Sequence, residues 1–453
     1  MAVSAFLVSA PASHHGKTLL SAALVRHYRR RGLRVAAFKM GPDYLDPMIL
    51  ARAAGRSVDN LDPWMVGEAE CRRLFARAAA EADVVVVEGA MGLSDGSPSS
   101  ADLARLLGLP VLLVVDAAGM AQGFAAQVLG ARALEPDLEF VGVVANRVAG
   151  ARHRALIQTR LPGELPLLGE LPRDRRLSLP ERHLGLVAAS EVNALDELLD
   201  HGADHLAATA LADPPPWRSV VVPPPPSRSG GLLAGLRLAV ARDAAFAFIY
   251  PANLEWLQAQ GAELRFFSPL EGEGLPGCDA LWLPGGYPEL HLEALAANRG
   301  LQRDLLAHHH HGRPILAECG GMLSLLETMG DVQGRRYALA GLLPGEGRMT
   351  SRPQGLGLQA LRWGGRVIRG HTFHYAEVSV AWSPVARSRR HPDGAPGEWV
   401  WWRRGLWTSF MHLYFPSAPE AVAAILRGEP PSAMPAPSEQ QGAGGEECDQ
   451  GEP

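Results

Sequence analysis

The chain has 453 residues, 47% hydrophobic and 20% charged, with a formal net charge of −5. That length can bury two sizeable domains, and the ordinary balance excludes a fibrous or wholly disordered chain. The mild acidity offers no electrostatic footprint for a nucleic-acid partner. Four scattered cysteines, Cys71, Cys278, Cys319 and Cys448, form no CxxC pair or even framework, so a reduced cytoplasmic setting is expected and a structural zinc is not. No apolar run reaches the roughly 18 residues of a membrane span, and the first residues lack a basic signal region. Neither membrane insertion nor export is expected.

The first element is an apolar strand, Ala5-Phe6-Leu7-Val8-Ser9, followed by a loop ending in Gly16-Lys17-Thr18 and an amphipathic helix with Leu19, Leu20 and Leu24. Strand, loop, Gly-Lys-Thr, helix is the context of a phosphate loop. Its N–H groups cradle phosphate oxygens, Lys17 neutralises phosphate charge and the Thr18 hydroxyl reaches Mg²⁺. The loop is atypical, with Pro11 in place of the first glycine and His14-His15 where glycine and a small residue are usual. Apolar strands are then read at 35–38, 83–87, 111–115 and 140–145, separated by helical segments. Strands apolar throughout indicate a parallel sheet covered on both faces. Polar residues past their carboxyl ends line one crevice: Lys39, Asp43, Asp46, Glu88, Asp95, Asn146 and Arg147. Singly, each aspartate reads equally as a cap or turn former. Four carboxylates at successive strand ends beside Lys17 and Thr18 point instead to a cation and catalysis.

Proline marks the boundary between domains. Residues 212–232, with Pro214-Pro215-Pro216 and Pro223 to Pro226 before Ser227-Arg228-Ser229-Gly230-Gly231, read as a polyproline-like then flexible linker. Residues 1–211 and 233–427 are therefore expected to fold as two domains, and 428–453 reads as a disordered, weakly acidic tail. In the second domain a strand through Leu281-Trp282-Leu283 ends in Pro284-Gly285-Gly286, whose N–H groups suit a developing oxyanion. Ile315-Leu316-Ala317-Glu318-Cys319-Gly320-Gly321 places Cys319 at a sharp strand-to-helix turn, where the helix N-terminus is expected to favour the thiolate. His412 is the candidate general base. His308 to His311 splay around a helix and are not expected to converge on a metal. Trp399, Trp401, Trp402 and Trp407 are expected to be core or hairpin residues rather than a platform for a flat ligand.

Residues 236–427, with Cys319, His412 and Gly285-Gly286 in this order, resemble the class I glutamine amidotransferase domain. The resemblance implies Cys319 as nucleophile, His412 as base and the Gly285 and Gly286 amides as oxyanion donors. Many relatives carry a glutamate two residues after the histidine, where this chain has Tyr414, so the third triad member is missing or comes from elsewhere. In the first domain, Lys39-x-Gly-Pro-Asp-Tyr-x-Asp-Pro47 and Glu88-Gly-x-Met-Gly-x-x-Asp-Gly96, with Arg182-His183-Leu184-Gly185-Leu186, resemble the cobyrinic acid a,c-diamide synthase family, whose ATP domain is similar in fold to dethiobiotin synthetase.

Together these imply an α/β protein of two doubly wound domains, an N-terminal P-loop parallel-sheet domain and a C-terminal amidotransferase domain. The implied activity is ATP- and glutamine-dependent amidation of the a and c carboxylates of cobyrinic acid through an acyl phosphate, with Mg²⁺ as cofactor and ATP as co-substrate. The implied metal ligands are Thr18, Asp46 and Glu88; Asp43 and Asp95 position substrate or phosphate. Gly16, Lys17, Thr18 and Asn146 hold nucleotide, and Lys39 and Arg147 meet corrin carboxylates. The same chemistry on hydrogenobyrinic acid or nickel sirohydrochlorin stays open, because a metal at the ring centre need not touch a side chain. A homodimer also stays open, as does a non-catalytic regulator binding ATP and glutamine.

Overall fold

The structure is a computed structural model that describes residues 3–179, 189–215 and 230–431. The Arg182 to Leu186 motif, positions 216–229 of the proline-rich stretch, most of the expected tail and Cys448 lie outside these residues.

Seven strands, β1 (Ser4–Ser9), β2 (Val35–Met40), β3 (Asp59–Leu61), β4 (Val84–Glu88), β5 (Val111–Asp116), β6 (Phe140–Val148) and β7 (Leu167–Pro172), form one sheet in the order β3-β2-β4-β1-β5-β6-β7. Every pairing is parallel. Alternate residues enter two different cores: Ala5, Leu7, Val85 and Val87 on one face, Phe6, Val8, Val84 and Val86 on the other. Burial on both faces is why these strands lack a polar alternation. Helices α1 (Lys17–Arg30), α2 (Leu45–Ala54), α3 (Glu68–Glu81), α4 (Ser100–Leu107), α5 (Phe124–Leu134), α6 (Ala151–Gln158) and α7 (Ala189–Leu206) supply the covering layers. Leu20, Leu50 and Leu199 from α1, α2 and α7 close one face; Phe75, Leu103 and Phe124 from α3, α4 and α5 close the other.

The second half begins at β8 (Arg237–Ala241) and runs through β9 (Glu263–Phe267), β10 (Ala280–Leu283) and β11 (Ile315–Glu318). These pair in parallel with one another and with Leu406–Ser409, and antiparallel strands extend them into a 10-stranded mixed sheet that ends on His412–Leu413. Trp401 and Trp407 are buried in its hairpin, while the partly exposed Trp399 lies under the Arg387 guanidinium at 4.2 Å. The two halves share packing. Tyr250 and Tyr414 join the core that holds Leu61 and Met65; Arg77 pairs with Glu255 at 2.7 Å, and Arg369 Nη1 donates to the Trp64 carbonyl at 2.7 Å. Among the described residues no helix is long and apolar enough to cross a membrane.

Candidate active site

Cys319 sits at φ 46° and ψ −107°, a left-handed conformation for a side-chain-bearing residue, where β11 breaks into a helix of four residues, Gly320–Leu323. That backbone is strained in the manner of a nucleophile elbow. Its N–H donates to the Ser409 carbonyl at 2.8 Å, tying the elbow to the strand three residues before His412. The Gly285-Gly286 turn closes the group. A Cβ on Gly285 would fall 2.1 Å from His412 Cε1, and a Cβ on Gly320 would fall 3.0 Å from the Gly286 nitrogen. Only glycine lets the turn approach this closely, so the elbow, the Gly-Gly turn and the histidine lie side by side.

His412 is oriented by packing. Its Nδ1 is buried with no hydrogen-bond partner among the described residues, and no carboxylate occupies the position held by Tyr414. The ring stacks on His371 at 4.9 Å with 17° between planes, and lies 5.4 Å from Tyr44 and 6.0 Å from Phe248. His371 Nδ1 is in turn 2.9 Å from the Tyr250 hydroxyl. Glu318 fixes the backbone just past the histidine: Oε1 accepts from Leu413 N at 2.8 Å and Oε2 from Trp282 Nε1 at 2.9 Å. Burial pushes the Glu318 carboxyl up to about 8 against those two hydrogen bonds.

The charge state departs from the expected thiolate. Burial raises the Cys319 thiol well above its ordinary range, nearby Glu289 adds to this, and the Gly320 N–H only partly opposes it. A four-residue helix has too small a dipole to outweigh desolvation. Burial likewise lowers His412 well below its usual value, with His371 and His374 contributing. The pair rests as neutral thiol and neutral imidazole, so proton transfer accompanies attack.

On the other side, Thr18 Oγ1 donates to Glu88 Oε1 at 2.7 Å. Lys39 stands directly opposite Glu88 in the β2–β4 register, and its ammonium contacts Glu88 Oε1 at 2.9 Å, Asp46 Oδ2 at 2.9 Å and the Gly89 carbonyl at 3.0 Å. Three donors meet three acceptors, so Lys39 is committed to the carboxylates of its own site rather than turned to a substrate carboxylate. Arg147 is similarly taken up by Asp116, with Nε at 2.8 Å. Asn146 donates to the His15 carbonyl at 3.0 Å, and Asp116 N donates to His15 Nδ1 at 2.9 Å. The atypical His15 is thus a brace between phosphate loop and β5, and Asn146 supports the loop backbone. Gly16, at φ 95°, passes so close to Asn146 that a Cβ would lie 2.2 Å from Nδ2. Lys17 is 8% exposed; burial and then Lys39 lower its ammonium to about 8, against Glu88, Asp46 and Asp95.

Of the four crevice carboxylates, two converge. Asp43 Oδ1 accepts from Leu45 N at 2.8 Å and Asp46 N at 3.1 Å, a cap on α2. Asp95 is exposed and closes a turn by accepting from Gly92 N at 2.9 Å. Asp46 and Glu88 share Lys39, and the Lys17 ammonium lies close enough to feel both. Burial, with Lys39 opposing and Asp46 adding, raises the Glu88 carboxyl to about 7, and Glu88 Oε2 is buried with no hydrogen-bond partner among the described residues. A hydroxyl and two carboxylates, one of them with its second oxygen buried and unpartnered among the described residues, fit Mg²⁺, which prefers oxygen ligands.

A cavity of about 1170 Å³ is lined by Ser13, Lys17, Thr18, Asp43, Asp46, Glu88 and Asn146, and also by Arg173 and Arg175 beyond β7. It lies slightly above the usual ~300–1,000 Å³ of a single-ligand pocket. Arg173 and Arg175 are exposed and have no ion pair among the described residues. Among the described residues they are unpaired cations, which Lys39 and Arg147 are not. Sequence reasoning also passed over Tyr44 and Glu318. An aromatic between two aspartates, and a lone acid ending an apolar strand, were the available signals.

Comparison with known proteins covers both halves. Residues 6–187 match the CobQ/CobB/MinD/ParA nucleotide binding domain, and residues 237–420 match the CobB/CobQ-like glutamine amidotransferase domain. The chain is 51% identical to a hydrogenobyrinate a,c-diamide synthase of Stutzerimonas stutzeri over 93% of this chain and 98% of that one. It is 51% identical to one of Pseudomonas aeruginosa over 93% and 97%, and 46% identical to a cobyrinate a,c-diamide synthase of Herminiimonas arsenicoxydans over 93% and 96%.

Proposed function

The chain belongs to the hydrogenobyrinate and cobyrinate a,c-diamide synthase family, glutamine-dependent amidating ligases of cobalamin biosynthesis, and from that premise we propose how its residues divide the work. Cys319 Sγ attacks the carboxamide carbon of glutamine. His412 takes the thiol proton and passes it to the departing ammonia, while Gly285 and Gly286 N–H groups stabilise the oxyanion. Water then cleaves the thioester to glutamate. In the other site a corrin carboxylate oxygen takes the γ-phosphoryl group of ATP, ammonia attacks the resulting acyl phosphate, and phosphate leaves. Thr18, Asp46 and Glu88 would hold Mg²⁺, which supplies neutralising charge to the phosphates. Lys17 binds the triphosphate, Lys39 keeps Asp46 and Glu88 in register, and Arg173 and Arg175 receive the acidic periphery of the macrocycle. Asp43 shapes the loop through its cap on α2.

The observation that carries this reading is Tyr44. It lies in the loop after β2, between Asp43 and Asp46, yet its ring stacks on Phe248 at 4.8 Å and sits 5.4 Å from His412. The loop that lines the nucleotide-side cavity through Asp43 and Asp46 therefore sends its Tyr44 ring to the amidotransferase histidine. The reading expects the protein in the cytoplasm, where ATP and glutamine are available. The test is incubation with ATP, Mg²⁺ and glutamine on either hydrogenobyrinate or cobyrinate, with products read by mass. A diamide from at least one ring supports the reading, and glutaminase activity with neither product refutes it.

A further inference from the structure

The tract His308 to His311 does not gather its imidazoles, but another pair of histidines does. α7 carries His201-Gly202-Ala203-Asp204-His205, whose i, i+4 spacing places both rings on one face. Asp174, in the turn after β7, has Oδ2 3.0 Å from His201 Nε2. The two rings stand 4.7 Å apart at 76°, and one donor atom from each of Asp174, His201 and His205 lies within 4.8 Å of the others. His205 Nε2 is buried with no hydrogen-bond partner among the described residues, an arrangement that costs free energy unless something fills it.

We propose that Asp174, His201 and His205 form a binding site for one divalent transition-metal ion of the zinc class, distinct from the Mg²⁺ donors Thr18, Asp46 and Glu88. Two imidazole nitrogens and a carboxylate oxygen are donors zinc accepts at about 2.0–2.2 Å, with water completing a tetrahedron; Mg²⁺ prefers oxygen alone. Tetrahedral bonds of that length set donors roughly 3.4 Å apart, so the His201–Asp174 pair need open by only a few tenths of an ångström. Asp174 must also give up the Arg176 guanidinium, now at 2.6 Å. Arg176 is 73% exposed, so water replaces that contact at small cost. The Arg176 backbone N–H, 2.9 Å from Asp174 Oδ1, can stay and orient the carboxylate. The bound ion clips the turn that carries Arg173 and Arg175 to α7, which packs against α1. The site thereby sits at the wall of the cavity, which Asp174 itself lines beside Arg173 and Arg175.

The full chain, stripped of metal and kept in saturating Mg²⁺, is titrated with Zn²⁺ against a chromophoric chelator and with Co²⁺ followed by its visible ligand-field bands. One equivalent of Zn²⁺ is expected, with Co²⁺ bands of low coordination number. His201→Ala and His205→Gln should each weaken binding by more than the roughly 10–100-fold that a lost supporting hydrogen bond costs, while His310→Ala, in the exposed part of the other tract, leaves it unchanged. Hydrogen exchange over residues 172–178 should slow when Zn²⁺ binds. Absence of stoichiometric Zn²⁺ binding, or binding undiminished in folded His201→Ala and His205→Gln proteins, overturns the site; unchanged exchange in the metal-loaded chain overturns the clip.

Discussion

Lys39→Met removes the ammonium that the β2–β4 register places between two buried carboxylates. The side chains are 5%, 5% and 0% exposed for Lys39, Asp46 and Glu88. At 2.9 Å and an effective dielectric near 20, each contact is worth about 6 kcal/mol of attraction, part of which the desolvation of Lys39 cancels. Leaving the partners uncompensated should therefore cost about 3–5 kcal/mol of stability, the range for a broken buried pair. The sign with pH follows from Glu88, whose folded carboxyl is already raised to about 7 and rises further when Lys39 is gone. A raised carboxyl destabilises the fold where it must ionise and is harmless where it is protonated. The deficit should thus be smallest near pH 6, where Glu88 is protonated with or without Lys39, and grow as the pH rises past about 7, so that it is larger at pH 9 than at pH 6. Urea unfolding followed by circular dichroism at both pH values measures this, and Mg²⁺ should restore part of the loss at the higher one. A deficit under about 1 kcal/mol, or one that does not change with pH, would refute the claim that Lys39 neutralises this site.

Cys319→Ala should abolish glutamine-dependent amidation while leaving amidation from added ammonium, because the two chemistries use separate groups. His412→Asn should lower glutamine hydrolysis by roughly 10²–10⁴-fold, and in the wild type the acid limb of that hydrolysis should fall below the ordinary histidine range, since burial holds His412 neutral; a limb near 6.5 would contradict the buried ring. Tyr44→Ala removes one aromatic neighbour of a histidine whose Nδ1 has no hydrogen-bond partner among the described residues, so hydrolysis of glutamine should drop about 10-fold, in line with ~0.5–1.5 kcal/mol per aromatic contact, whereas Tyr44→Phe should keep most of it. Lys17, lowered to about 8 in the free protein, must be protonated to bind triphosphate, so the dissociation constant of an ATP analogue should rise about tenfold from pH 8 to pH 9.5 with proton uptake, and Lys17→Met should lose both affinity and this dependence.

Local chemistry was legible in the chain itself. Apolar runs such as Val84 to Val87 announce a strand buried on both faces because each successive side chain must enter a core. Gly16-Lys17-Thr18 announces a helix N-terminus for phosphate. Cys319 between an apolar strand and two glycines announces an elbow, since few other residue patterns tolerate that turn. Partnership was not legible. Asp43, Asp46, Glu88 and Asp95 look alike in sequence, yet the start of α2 makes Asp43 a cap, the Gly92 turn takes Asp95, and the β2–β4 register alone puts Lys39 opposite Glu88. The expected thiolate failed for a similar reason: burial of Cys319 depends on what the rest of the fold stacks over it. The contact of Tyr44 with His412 and the approach of Asp174 to His201 and His205 join residues from distant segments. Periodicity and spacing report which way a side chain faces along its own element; only the packing of elements against one another decides what it meets there.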